Sequence, residues 1–390
     1  MLRIVETENG FIRGLPASDP RITVFKGVPF AAPPVYENRW RAPVPCSDWE
    51  GTYNAYEFKP IPVQDRPGVG DDLYCREWHV DPDIEMDEDC LYLNIWTNAK
   101  TADSGLPVLV WFFGGALQWG YTSEMEMDGE RIARRGIVVV TVSYRLNVFG
   151  FLAHPEITMK QPDAPANFGC LDQKAGLEWV KRNIKAFGGD PANITIAGQS
   201  AGGGSVLSHM VCKDNQGLFQ RAVVMSGIIR DPYEKKFVFS PESMDSAQEN
   251  GRRFLEFIGA ENISQARMMD AGYISSKYAE YVREYPRMLT VCDQRFLMGD
   301  PLELIAENRY IKVPLMAGNT RDEFISTIAA ATEEELKEKA DLLFGEKAEE
   351  FLAFKESNKQ VKNGYAPVNG IECAVKELFL KIKENGNHED

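Results

Sequence analysis

Basic clusters are missing from this 390-residue chain, in which 58 acidic residues outweigh 43 Lys and Arg for a formal net charge of −15. That balance argues against nucleic acid or an anionic membrane surface as a partner. No apolar run approaches the ~20 residues that cross a bilayer. The opening stretch, Met1-Leu2-Arg3-Ile4-Val5-Glu6-Thr7-Glu8, carries no apolar signal core, so a cytoplasmic location is expected. Cysteines at metal or redox spacing are absent as well. Cys46, Cys75, Cys90, Cys170, Cys212, Cys292 and Cys373 include no C-x-x-C, which excludes the usual zinc and thioredoxin-like patterns. Cys75 and Cys90 would close a small loop in an oxidising compartment; free thiols are expected instead. Histidine is scarce, with four in the chain.

What is present is apolar material for a sizeable core, 44% of residues, beside an ordinary 26% charged. Short β-like runs (Arg3–Thr7, Phe11–Gly14, Thr23–Gly27) come first, and a polar, Pro-rich stretch to about residue 89 reads as loop and turns. Strand–helix alternation follows. Leu91–Trp96, Pro107–Phe113, Ile137–Tyr144, Ile194–Ala197, Ala222–Met225 and Val313–Ala317 are compact apolar runs. Several are apolar almost throughout, as strands buried on both faces of a mostly parallel sheet should be. Helices are predicted at Asp172–Phe187, stopped by Gly188-Gly189, and at Met244–Ile258, Pro301–Asn308 and Thr332–Phe344, where Thr332 and Glu335 form a capping-box pattern. No linker interrupts the apolar strands, so 1–390 reads as a single α/β domain.

The densest chemical signal is Asn193-Ile194-Thr195-Ile196-Ala197-Gly198-Gln199-Ser200-Ala201-Gly202-Gly203-Gly204. A β-branched run feeds G-x-S-x-G, and a helix-compatible segment, Ser205 to Cys212, follows. This is the strand–turn–helix context of the nucleophile elbow of α/β-hydrolases, in which a serine hydroxyl is thrust out of a sharp turn. Gly198, Ala201 and Gly202 supply the small neighbours that such a turn needs. Upstream, the apolar run Pro107–Phe113 leads into Gly114-Gly115-Ala116, small residues whose amides can approach a substrate oxygen. Downstream, Val313–Ala317 leads into Asn319-Thr320-Arg321-Asp322-Glu323, where either Asp322 or Glu323 has the chain order of a triad acid.

Further segments extend the pattern. Phe25-Lys26-Gly27-Val28-Pro29-Phe30-Ala31-Ala32-Pro33-Pro34, Glu88-Asp89-Cys90-Leu91-Tyr92-Leu93-Asn94-Ile95-Trp96, Tyr144-Arg145-Leu146-Asn147-Val148-Phe149-Gly150-Phe151-Leu152 and Asn167-Phe168-Gly169-Cys170-Leu171-Asp172-Gln173 run in order towards Phe187-Gly188-Gly189-Asp190-Pro191 and the elbow. Through them the chain resembles the type-B carboxylesterases, the family of cholinesterases and bacterial para-nitrobenzyl esterases, from about residue 4 to 325. The resemblance implies an α/β-hydrolase fold, a twisted, mostly parallel sheet with helices on both faces and an N-terminal antiparallel region. It implies hydrolysis of small alkyl, aryl or phenolic esters through a serine acyl-enzyme, without a cofactor. It makes Ser200 the nucleophile, Glu323 the acid, and Gly115, Ala116 and Ala201 the oxyanion donors. It also pairs Arg39 with Glu88 and Arg145 with Asp172, and places Ser226 near the triad as a structural hydrogen-bonding group. Leu117, Trp119 and Phe149 are expected in the pocket wall. Gln199 stands where cholinesterases carry Glu, which argues against a choline ester. The competing reading is a non-catalytic binding member of the same fold family.

The base is the gap in the pattern. His79 and His154 precede Ser200, and His209 lies nine residues beyond it in the following helix. His388 alone has the family's order, but it sits in a polar tail with no strand before it, and 67 residues follow Glu323. The expectation is that the chain ends before the last strand and the base, and that alone it hydrolyses activated aryl esters feebly or not at all.

Overall fold

The computed structural model describes residues 1–69, 81–229, 239–320, 332–357 and 370–385. Its centre is an eight-stranded sheet. From edge to edge the strands are Leu315–Gly318, Arg221–Met225, Gly189–Gln199, Leu106–Phe112, Val138–Val142, Tyr92–Thr97, Thr23–Pro29 and Leu15–Pro16. The first five run parallel and the remaining three alternate antiparallel. Helices cover both faces. A separate three-stranded sheet joins Ile4–Thr7, Gly10–Arg13 and Thr52–Asn54.

The strand order explains where a site can form. Leu106–Phe112 has Val138–Val142 on one side and Gly189–Gln199 on the other. The connections leaving its carboxyl end and that of Gly189–Gln199 therefore diverge, which opens a crevice at the switch point of the sheet. Every residue of Val138–Val142 is buried, as expected for a strand covered on both faces. The edge strand Leu315–Gly318 departs from that expectation, with Met316 69% exposed.

The strand beginning at Gly189 is longer than its apolar core, Ile194–Ala197, announces. The predicted helix stop works through Gly188: helix Phe168–Asn183 tightens into a 3-10 turn, Ile184–Phe187, and Gly188 closes it at φ 83°. Thr332 caps Glu333–Phe344 by accepting the Glu335 amide at 3.1 Å. Short helices at Asn147–Phe151, Ile263–Met268 and Ala271–Tyr281 carry no strong periodicity and were not anticipated. One apolar core runs from Val5 to Leu378.

Both expected ion pairs form. Arg39 Nε donates to Glu88 Oε1 at 2.6 Å, and Arg145 grips Asp172 through Nε and Nη2 at 2.8 and 2.7 Å. Cys46, Cys90, Cys170, Cys212 and Cys292 are free thiols; Cys75 lies outside the described residues. Among the described residues, no helix is long and apolar enough to cross a membrane.

Candidate active site

Ser200 sits between the end of strand Gly189–Gln199 and the start of helix Ala201–Val211, at φ 55° and ψ −124°. That combination is strained for an L residue and is enforced from all sides. The Ser200 amide donates to Met225 O at 2.9 Å, and its carbonyl accepts from Gly204 N–H at 3.0 Å. Small residues are obligatory around it. A Cβ on Gly198 would stand 2.3 Å from Gly202 O, and one on Gly202 would stand 2.1 Å from Phe112 O. Ala201 is the first residue of the helix, so its amide is one of those left without an intrahelical partner.

The loop after Phe112 closes on the same point. A Cβ on Gly114 would lie 3.2 Å from Ser200 Cβ. Phe113, just before it, stacks on Tyr144 at 4.2 Å and accepts the Tyr144 hydroxyl at 2.7 Å through its carbonyl. Gly115, Ala116 and Leu117 then take φ values of 110°, 54° and 60°. Among the described residues, none accepts a bond from the Gly115 or Ala116 amide. Ser200, Gly114 and Gly115 line one cavity of about 720 Å³, with Trp111, Trp119 and Met127 in its wall. Ala116 follows Gly115 in the loop and is not part of that wall. Of the other wall residues expected, Trp119 is there, whereas Leu117 and Phe149 are 3% exposed and belong to the core. Leu117 turns inward because its left-handed backbone reverses the chain.

The strand that leads towards the acid candidates, Leu315–Gly318, pairs with Arg221–Met225, itself the neighbour of the elbow strand. Gly318 O accepts the amide of Ser226, which is 8% exposed, at 2.7 Å. Asp322 and Glu323 lie outside the described residues, as do His79 and His388.

The two described histidines are structural. His154 caps helix Pro155–Lys160, its Nδ1 accepting the Glu156 amide at 3.2 Å. His209 is fully buried, stacked on Phe112 at 5.0 Å, with Nε2 3.2 Å from Gln173 Oε1 and Nδ1 2.9 Å from Asn215 Nδ2. Burial pushes its pKa down to about 3, so the ring is neutral. Its partners assign the proton to Nε2, with Nδ1 accepting from Asn215. Among the described residues the cavity wall contains no histidine. Nor do they include a group of His, Cys, Asp and Glu that would hold a metal.

Gln64 and Gln118, which hold the loop, carry no signal in the sequence, and Asn147 stands in a segment that points only to the family; all three are buried and bonded to backbone far away in the chain.

Comparison with known proteins agrees with this geometry. Residues 2–386 match the carboxylesterase family. The chain is 32% identical to the fumonisin B1 esterase of Sphingopyxis macrogoltabida over 325 residues, covering 81% of this chain and 55% of that protein. It is 32% identical to the cholinesterase of Mus musculus over 336 residues, covering 82% and 53%. The chain thus spans about half the length of these curated relatives. Among solved structures, a PNB esterase superposes with a TM-score of 0.75 at 29% identity, over 98% of this chain and 75% of that one. The Geobacillus stearothermophilus carboxylesterase gives 0.71 at 32% identity, over 87% and 69%. Elbow, loop and sheet order are therefore those of an α/β-hydrolase, and the chain belongs to the carboxylesterase family.

Proposed function

We propose that this protein hydrolyses small carboxylic esters through a serine acyl-enzyme. One observation carries the reading: Ser200 projects from a strained elbow against Gly114, in a cavity shared with a loop whose Gly115 and Ala116 amides have no acceptor among the described residues. Ser200 attacks the ester carbonyl. The amides of Gly115, Ala116 and Ala201 receive the charge that develops on its oxygen, where fixed donors in a water-poor site act most strongly. The alcohol leaves, and water then clears the acyl group from Ser200. Glu323 is the acid that orients the base. That base is His388, the one histidine here in family order, or a histidine outside residues 1–390.

The mixed apolar and polar wall suits alkyl, aryl or phenolic esters. Retention of the serine and of every small residue around it speaks against a binding protein that has lost its chemistry. Residues 1–390 are read as one domain. The free thiols and the acidic balance fit a cytoplasmic protein acting on a small molecule, with neither nucleic acid nor membrane as partner.

The test is covalent labelling with a fluorophosphonate, located by peptide mass. Modification of Ser200, abolished in Ser200→Ala, supports the reading. A protein that is labelled equally in S200A overturns it, and so does one that carries the histidine base and is not labelled. His388→Ala is then expected to slow labelling if that residue is the base.

A further inference from the structure

The loop from Gly114 to Gly120 cannot hold its own shape. Gly115, Ala116, Leu117 and Gly120 have φ of 110°, 54°, 60° and 105°. Two of these are L residues in a region that such residues seldom occupy. Its internal bonds are two, from the Gln118 and Trp119 amides to Gly115 O, at 2.9 and 3.0 Å. The remaining restraint comes from outside, and three of its hydrogen bonds come from a strap, Gln64 and Asp65, in the Pro-rich stretch that reads as plain loop in the sequence.

Gln64 is the centre of this strap. It is 4% exposed, and its side-chain amide pairs with the Gly120 backbone as a neighbouring strand would. Oε1 accepts the Gly120 amide at 2.9 Å, while Nε2 donates to Gly120 O at 3.1 Å and to Pro62 O at 3.0 Å. On one side of it, Val63 O accepts from Asn147 Nδ2 at 2.9 Å, and the Asn147 amide in turn donates to Leu117 O at 2.8 Å. On the other, Asp65 Oδ2 accepts the Trp119 indole at 3.1 Å. Gln118 is anchored on the far side, donating to Met288 O and accepting from the Tyr278 hydroxyl, both at 3.0 Å.

We propose that Gln64 is a positioning residue for the oxyanion loop. By clamping Gly120 it fixes the turn through Gly115 and so the direction in which the Gly115 and Ala116 amides point. Asp65 and Val63 support the same grip. The mechanical part of this stands on the hydrogen bonds alone; its consequence for rate rests on the ester-hydrolase reading above.

Gln64→Leu keeps the volume and removes all three bonds. Gln64→Glu keeps the acceptor for the Gly120 amide and, as a neutral carboxyl in this buried site, one of the two donated bonds. Two measurements on the whole chain separate positioning from packing. The first is residue-resolved amide exchange at Gln118 and Trp119, whose amides touch Gly115 O and not Gln64. Q64L is expected to speed it about tenfold, with the core strands unchanged. The second is the fluorophosphonate rate constant at Ser200, expected to fall about ten- to a hundredfold in Q64L, with Q64E between Q64L and the parent. Unchanged exchange at Gln118 and Trp119 overturns the proposal, and so does an unchanged labelling constant in a loosened loop. If a parent protein that carries the histidine base is not labelled at all, the ester-hydrolase reading fails while the exchange result still decides the clamp. If Q64L does not fold, Q64E carries both measurements.

Discussion

Gly114 and Ser200 meet almost backbone to backbone: a Cβ added to Gly114 would stand 3.2 Å from Ser200 Cβ and 2.7 Å from Gln199 O. Two strand ends are thereby locked in direct contact, and no side chain fits between them. Gly114→Ala must push the loop or the elbow aside, because the nearest obstacle is a carbonyl oxygen rather than a flexible tip. A shift on the scale of 1 Å at the donors costs about a hundredfold in rate. The Ser200 labelling constant of G114A is expected to fall by about that factor while the protein still folds. A G114A protein labelled at the parental rate would show that the loop does not act on Ser200.

Ser200 itself is a point of stored strain, with φ 55° and ψ −124°. Such a conformation costs an L residue about 1–3 kcal/mol, whereas glycine adopts it freely and gives back only ~0.5–1 kcal/mol in unfolded-chain entropy. Ser200→Gly is therefore expected to raise stability by about 1 kcal/mol, and Ser200→Ala, which keeps the strain, is not. Both should abolish labelling. Denaturant titration of the two variants checks this. S200G less stable than S200A would mean that the turn is not strained.

The contrast between what the sequence reveals and what it hides follows from how far apart the partners are. The elbow is local: Gly198, Ser200 and Gly202 sit within five residues, and their spacing has one geometric meaning. The helix stop at Gly188 and the buried strand Val138–Val142 are equally local. Gln64 and Gly120 are 56 residues apart, and Gln118 and Met288 are 170 apart. Such pairs leave no periodicity, so a Pro-rich stretch that braces the loop reads as mere connection. Leu117 was misplaced for a related reason, since its left-handed backbone turns an apolar side chain into the core where continuity would send it to the cavity. Glu323, which the family pattern makes the acid, and His388 lie outside the described residues.

His209 predicts an acid limb of stability. Its ordinary pKa of 6.5 is lowered to about 3 by burial. Below 6.5 the unfolded chain therefore binds a proton that the folded protein refuses, and stability falls as pH drops towards 3. The slope from this one group approaches about 1.4 kcal/mol per pH unit. His209→Gln should be less stable than the parent at pH 7, having lost the stack on Phe112, but the gap should shrink by about 2 kcal/mol at pH 5. Urea titrations at the two pH values check this, and a gap that stays constant would show that the ring is protonated inside the fold.

Arg145 and Asp172 give the opposite sign. Asp172 is 0% exposed; burial pushes its carboxyl up, and the charge and hydrogen bonds of Arg145 oppose that. Arg145→Met removes the opposition and leaves a buried carboxylate without a counter-charge, at a cost of about 3–5 kcal/mol. In that variant the folded state takes up a proton more readily than the unfolded chain. Its stability is then fully recovered only at acid pH and is lost as pH rises through the elevated folded value. The deficit of R145M relative to the parent is thus expected to be greatest at neutral pH and to narrow on acidification. Arg145→Met combined with Asp172→Leu, which buries no charge, should be more stable than R145M alone at pH 7. A double variant no better than R145M would place the cost in lost packing around Phe168, over which the Arg145 guanidinium lies at 5.4 Å, rather than in the orphaned charge.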